Sequence, residues 1–204
     1  VYAAVLPDDL SGFDEEHQLS LQVIRENMLK NHGYYKVTED GVEQCLISCD
    51  DGVYRFTPPE SEEQDWTVEK LVDEAASDAV LVDLDQDGEK ELILISPFHG
   101  EHIYFYKKID GDYKKVYTYD TADFAHAIYG GTLLGKPAVI IGHRKGERNL
   151  LLFTWEQEKG QYQVEILDRD CGPANVFKYE RGTEEVLIST NREIDEVAMY
   201  TFEK

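Results

Sequence analysis

Apolar residues along this chain fall into short runs separated by Gly- and Asp-containing turns, and the runs recur at a nearly constant distance. Leu46-Ile-Ser48, Leu94-Ile-Ser96, Ile140-Ile-Gly142 and Leu187-Ile-Ser189 end 48, 46 and 47 residues apart. After each comes a stretch with aromatic rings at alternate positions: Tyr54-Arg-Phe56, Tyr104-Phe-Tyr106, Phe153-Thr-Trp155 and Tyr200-Thr-Phe202, spaced 50, 49 and 47. Before each run stands another short strand: Tyr34 to Val37, Val80 to Asp83, Ile128 to Gly131 and Val176 to Tyr179. The first three copies close with a fourth: Trp66 to Leu71, Tyr113 to Tyr119 and Tyr162 to Leu167. Four short antiparallel strands in a unit of about 47 residues predict the blade of a β-propeller. Radial packing of such blades also covers nearly all sheet edges, and the repeated register argues against a β-sandwich.

The expected fold is therefore all-β, one propeller domain over residues 1–204, with repeats at about 32–77, 78–125, 126–173 and 174–204. The ends are less regular. The last copy lacks a fourth strand, and Leu19 to Ile24, which alternates like a strand but also carries a helical stripe at Leu21, Ile24 and Met28, is the expected closing strand or partial blade. Tyr2 to Leu6 competes for a place beside it. A small closed ring, an incomplete ring, a ring completed by a partner chain or by self-association, and a fragment of a larger propeller all fit these ends.

One turn differs from the others in its chemistry. Asp83-Leu-Asp-Gln-Asp-Gly-Glu-Lys-Glu91 lies between Val80-Leu-Val82 and Leu92-Ile-Leu-Ile95. It places acidic side chains at positions 1, 3, 5 and 9, with Gly88 at position 6, a spacing that converges carboxylates on a hard cation. This motif, followed by Gly100-Glu-His-Ile-Tyr-Phe-Tyr106, resembles the FG-GAP or VCBS-type repeat of integrin-α-like propellers. The resemblance implies one structural calcium, held by Asp83, Asp85, Asp87 and Glu91 with the carbonyl of Glu89. Glu39-Asp40-Gly41 is a remnant of the motif, and the turns at Gly131 to Pro137 and Glu180 to Thr183 lack it.

Charge narrows the function. A net charge of −22 and a pI near 4.5 exclude nucleic acid and anionic membrane as partners, because both require clustered Lys and Arg. No apolar run is long enough to span a bilayer, which excludes membrane insertion by a helix. Calcium and the missing initiator methionine favour a secreted or surface-exposed protein. Three cysteines are present, and Cys45 and Cys49, four apart on one strand, are too distant to pair.

Blade topology sorts the remaining candidates. Strand entries and second-to-third loops share one face of a propeller, opposite the acidic turn. His32, Asp78, His126 and Asn175 recur at spacings of 46, 48 and 49 and are expected around the central opening. His99, His102, His143, Arg144 and Arg192 fall on loops of the same face. This face is the expected binding surface for a protein, peptide or glycan. The alternative is a lyase or hydrolase acting there on a carbohydrate or anionic small molecule. In that case His32 and His126 serve as acid, base or metal ligands and Arg144 or Arg192 holds the anion. No nucleophile elbow, P-loop or dinucleotide fingerprint is present.

Overall fold

The computed structural model describes residues 1–61 and 63–203, and the chain is a four-bladed β-propeller. Blade 1 consists of β3 (Tyr34–Glu39), β4 (Val42–Cys49), β5 (Gly52–Thr57) and β6 (Thr67–Val72). β7 (Asp78–Val82), β8 (Glu91–Ser96), β9 (His102–Ile109) and β10 (Asp112–Tyr119) form blade 2. Blade 3 comprises β11 (Ala125–Leu133), β12 (Lys136–His143), β13 (Leu150–Glu156) and β14 (Gln161–Asp168). β15 (Pro173–Arg181), β16 (Glu184–Asn191) and β17 (Glu196–Glu203) make up blade 4. Every sheet is an antiparallel meander in chain order.

Period-two alternation explains the packing, because successive side chains of a strand point to opposite faces and a blade between two neighbours must be apolar on both. In blade 2, Ala79, Leu81, Leu92 and Leu94 join Val37, Leu46 and Val53 of blade 1. Their alternates Val80, Val82, Ile93 and Ile95 join Val139, Ile141 and Phe153 of blade 3. A third core links blades 3 and 4 through Ile140, Leu152, Val176 and Leu187.

The aromatic pairs lie in these seams, each against the preceding blade. Tyr104 and Tyr106 pack on blade 1, Phe153 and Trp155 on blade 2, and Tyr200 and Phe202 on blade 3. Blade 1 has no predecessor, and the N-terminal segment takes that place. Val1, Ile24 and Met28 cover Ile47, Cys49, Tyr54 and Phe56, and the Arg25 guanidinium lies 4.2 Å above the Tyr54 ring. The expected closing strand is thus corrected. Gln22–Val23 (β2) pairs with Tyr2–Ala3 (β1) as a two-stranded partial blade rather than with β17, and Ile24 and Met28 anchor the segment on the apolar face of blade 1.

Blade 4 accordingly keeps three strands among the described residues, and its far face is open. Phe177, Val197 and Met199 are 65%, 71% and 57% exposed, whereas Ile103, the counterpart of Met199 in blade 2, is buried. Among the described residues no strand of blade 4 pairs with a strand of blade 1. All three cysteines are free thiols. No helix of the described residues is long and apolar enough to cross a membrane.

Candidate functional site

Three loops build the mouth of the propeller axis. The β8–β9 loop is braced on the approach to blade 3 by backbone bonds from Ala122 N to Glu101 O and from Ala125 N to Gly100 O. That approach is braced in turn on the β12–β13 loop, through Arg144 N to Phe124 O and Lys145 N to Asp123 O. Gly100 is required here, since a Cβ would stand 2.1 Å from the Ser96 carbonyl oxygen. His32 enters from blade 1, its amide donating to Ser48 O. Gly33 follows, backed so closely by Ser77 and Asp78 that a Cβ there would lie 2.5 Å from Asp78 Oδ1. Across the axis, the Tyr35 hydroxyl donates to Gly130 O at 3.1 Å, fixing the entry strand of blade 1 against that of blade 3.

His32, His99 and His126 converge in this mouth. Their ring centroids lie 4.7 to 5.3 Å apart, and Nε2 of His99 is 3.4 Å from Nε2 of His32. One nitrogen from each ring falls within 4.8 Å of the other two. Phe98 stacks on His99 at 4.1 Å, and Phe124 stands 4.9 Å from it on another side. His99 takes a left-handed backbone, φ 49°, which is unfavourable for a side chain of this size and turns its ring toward the other two. Burial, then His126, His32 and Arg144, push its pKa down to about 4. His126 is also lowered, chiefly by burial. Burial thus disfavours the charged form of both rings.

The other expected mouth residues divide by what they touch. Asp78 Oδ1 accepts the Ala79 amide at 2.9 Å and Asn175 Oδ1 accepts the Val176 amide at 2.9 Å, so these two positions cap their own strands. His143 is buried with both nitrogens occupied: Nδ1 donates to Lys145 O, and Nε2 accepts the Asn149 amide. His102 bonds Asp120 at 3.0 Å, outside the cluster. Arg144 is held by Glu193 at 2.6 and 2.8 Å, and Arg148 pairs with Asp170. Those ion pairs neutralise two of the arginines on this face. Arg192 is exposed and, with Lys145, forms no ion pair among the described residues. Sequence reasoning passed over Phe98 and Phe124, although each lies within two residues of a histidine.

At the opposite end, the acidic turn does converge. Asp83, Asp85 and Glu91 bring one carboxylate oxygen each within 4.8 Å of the others. Asp83 accepts the amides of Asp87 and Gly88, and Asp87 accepts that of Glu89, which orders the turn. Glu91 is fully buried, Oε2 accepting the Leu84 amide at 2.8 Å and Oε1 accepting the Tyr162 hydroxyl at 3.2 Å. Burial, with Asp85 nearby, raises its pKa. The donor set suits calcium, but its centre already holds an ammonium group. Lys107 Nζ pairs with Asp85, with Asp87 at 2.6 Å and with Glu91 at 3.8 Å. Burial opposes the charge on Lys107, and the two aspartates more than offset it. The register that sets Leu92 opposite Tyr106 also sets Glu91 opposite Lys107, a signal legible in the repeat but not used.

No protein-family model matches the chain, so the FG-GAP or VCBS likeness rests on the residues of the acidic turn and its flanks. No curated protein matches either. Solved structures do. A protein of Bacteroides uniformis named as a 6-phosphogluconolactonase superposes with a TM-score of 0.55 at 11% identity, over 93% of this chain and 63% of that one. A Bacteroides fragilis protein of the same name gives 0.52 at 13% identity, with the same coverage. A family 43 β-1,3-galactosidase bound to galactodeoxynojirimycin gives 0.50 at 7% identity, over 92% of this chain and 78% of that one. The chain thus spans about 63% of the length of the first two. At these identities the likeness concerns architecture alone, and what it establishes is that the chain is a β-propeller.

Proposed function

We propose that the chain is a binding module, taking an anionic group of a protein, peptide or glycan at the axial mouth. The convergence of His32, His99 and His126 beside the unpaired Arg192 and the rings of Phe98 and Phe124 supports this reading. The Arg192 guanidinium and a ring N–H of His32 or His99 can donate hydrogen bonds to carboxylate or sulfate oxygens, the His126 N–H being taken by Ala174 O, and aromatic faces stack on sugar rings or side chains. Binding of an array of neutral and uronic-acid oligosaccharides and acidic peptides is expected to be lost in a His32→Ala/His126→Ala double variant of unchanged melting temperature. Undiminished binding in that variant would refute the proposal.

A lyase or hydrolase at the same mouth is the second reading, favoured by one observation. His126 Nδ1 donates to Ala174 O and leaves Nε2 as a free acceptor in surroundings that disfavour the charged ring, and an unprotonated imidazole is a competent general base. Turnover abolished by the same double variant while it still binds the substrate separates catalysis from binding.

The acidic turn we assign to a structural cation, calcium, carried by Asp83, Asp85, Asp87 and Glu91. Four carboxylates against one ammonium leave the turn strongly negative, which favours a divalent ion, and Lys107 must swing aside to admit it. Its ion pairs compete with the metal, so Lys107→Gln is expected to tighten calcium binding by about tenfold. Calorimetric titration checks this, and a melting temperature indifferent to both calcium and chelator would contradict the assignment.

A further inference from the structure

We propose that His32, His99 and His126 form a three-imidazole site for a zinc-class divalent ion, with its fourth coordination position facing the open mouth. Two nitrogens bound at about 2.0–2.1 Å to one tetrahedral ion stand roughly 3.3–3.4 Å apart. The 3.4 Å between Nε2 of His32 and Nε2 of His99 matches that separation before any ion is added. The third ring is prepared from behind. His126 Nδ1 donates to Ala174 O at 2.7 Å, which places the proton on Nδ1 and leaves the Nε2 lone pair for a metal. A backbone carbonyl behind a ligating imidazole is the usual outer-shell device that fixes tautomer and ring orientation.

The three ligands come from three separate places in the chain: the approach to β3, the β8–β9 loop and β11. They meet only because blades 1, 2 and 3 surround one axis. The His32 amide donates to Ser48 O, Gly100 N donates to Pro97 O across the turn that carries His99, and His99 itself has a left-handed backbone. Imidazole ligands select zinc, copper, nickel or cobalt over calcium and magnesium, so the ion differs in class from the one assigned to the acidic turn. The cationic groups facing the cluster are Arg144, which Glu193 neutralises, and the exposed Arg192. An ion with one open position would accept a carboxylate or other anionic oxygen there, with Arg192 at hand for a second. For that step the inference rests on the mouth being the ligand site; the metal itself does not depend on it.

Cobalt(II) is the probe, added to tag-free, metal-stripped protein. One equivalent per chain is expected to give the intense visible d–d bands of a tetrahedral ion, displaced by zinc. His32→Ala, at an exposed position, is expected to remove them. Its loss should weaken binding beyond the roughly 10- to 100-fold that losing an outer-shell partner costs. Asp85→Ala should leave the bands intact. Absent bands, bands that survive His32→Ala, or bands that vanish with Asp85→Ala would each overturn the inference. An organic ligand that binds equally well with and without cobalt would leave the binding reading standing while the metal's proposed part in it fails.

Discussion

Replacing Glu185 with alanine is expected to lower folding stability by about 3–5 kcal/mol, the range seen when one partner of a buried ion pair is removed. Glu185 lies in the seam between blades 3 and 4, 1% exposed. Its Oε2 accepts the Leu134 amide at 2.9 Å and pairs with Lys178 Nζ at 3.1 Å. The Lys178 side chain is itself only 6% exposed. Burial works against the ammonium charge, and Glu185 overcomes it, holding the Lys178 pKa above its ordinary value. The alanine variant leaves the Leu134 N–H without its acceptor and, among the described residues, the Lys178 ammonium with only Glu180, 3.5 Å away and largely exposed, in a seam that water barely reaches. Glu185→Gln keeps an acceptor for Leu134 and should cost less. Lys178→Met in the alanine background should recover part of the loss. Urea unfolding of the four proteins measures the series; a loss under about 1 kcal/mol, the scale of an exposed pair, would show that the seam is wet.

Asp78→Asn is expected to stabilise the protein at pH 8 and to leave it nearly unchanged at pH 4. Desolvation pushes the Asp78 pKa up to about 7, against which only the Ala79 amide acts. A carboxyl whose folded pKa is raised binds its proton more tightly in the folded state. Its contribution is therefore intact below the unfolded value near 4 and is lost as pH rises through about 7. A carboxyl raised from near 4 to about 7 corresponds to a cost on the order of 4 kcal/mol above pH 7, or roughly 8–16 °C in melting temperature. Asparagine keeps the one bond Asp78 makes, because the equivalent Asn175 caps Val176 in the same way in blade 4. Melting curves of both proteins from pH 4 to 9 should diverge through this window. Parallel curves would mean that the carboxyl is solvated.

Much of the fold was written in the repeat. Strands buried on both faces must be apolar on both, so the runs ending at Ser48, Ser96, Gly142 and Ser189 marked the second strand of every blade. Alternate aromatics marked the third. The N-terminal segment carried no such signal: Val1, Ile24 and Met28 act as isolated anchors against blade 1, and nothing in their spacing distinguishes that from a closing strand. The mouth was legible in part. His32 and His126 stood out by recurring at strand entries, and the same recurrence also drew in Asp78 and Asn175, whose side chains turn back onto their own strands. His99 shared its loop end with His102 and His143, and only the three-dimensional path of the β8–β9 loop separates the one that joins the cluster. The acidic turn was read as a set of ligands for a cation; the cation already present, Lys107, lies across the strand pair rather than along the sequence.

Two clusters of titratable side chains stand at opposite ends of one domain, Asp83, Asp85 and Glu91 at the acidic turn and His32, His99 and His126 at the mouth; the proposals give a structural cation to the first and ligand recognition to the second. The most direct test separates them in one titration. A carboxylate-bearing ligand recovered from the oligosaccharide and peptide array is titrated into the wild type, His99→Ala and Lys107→Gln. Binding lost in His99→Ala and retained in Lys107→Gln is the predicted result. Binding retained in His99→Ala, or lost in Lys107→Gln at unchanged melting temperature, would contradict it.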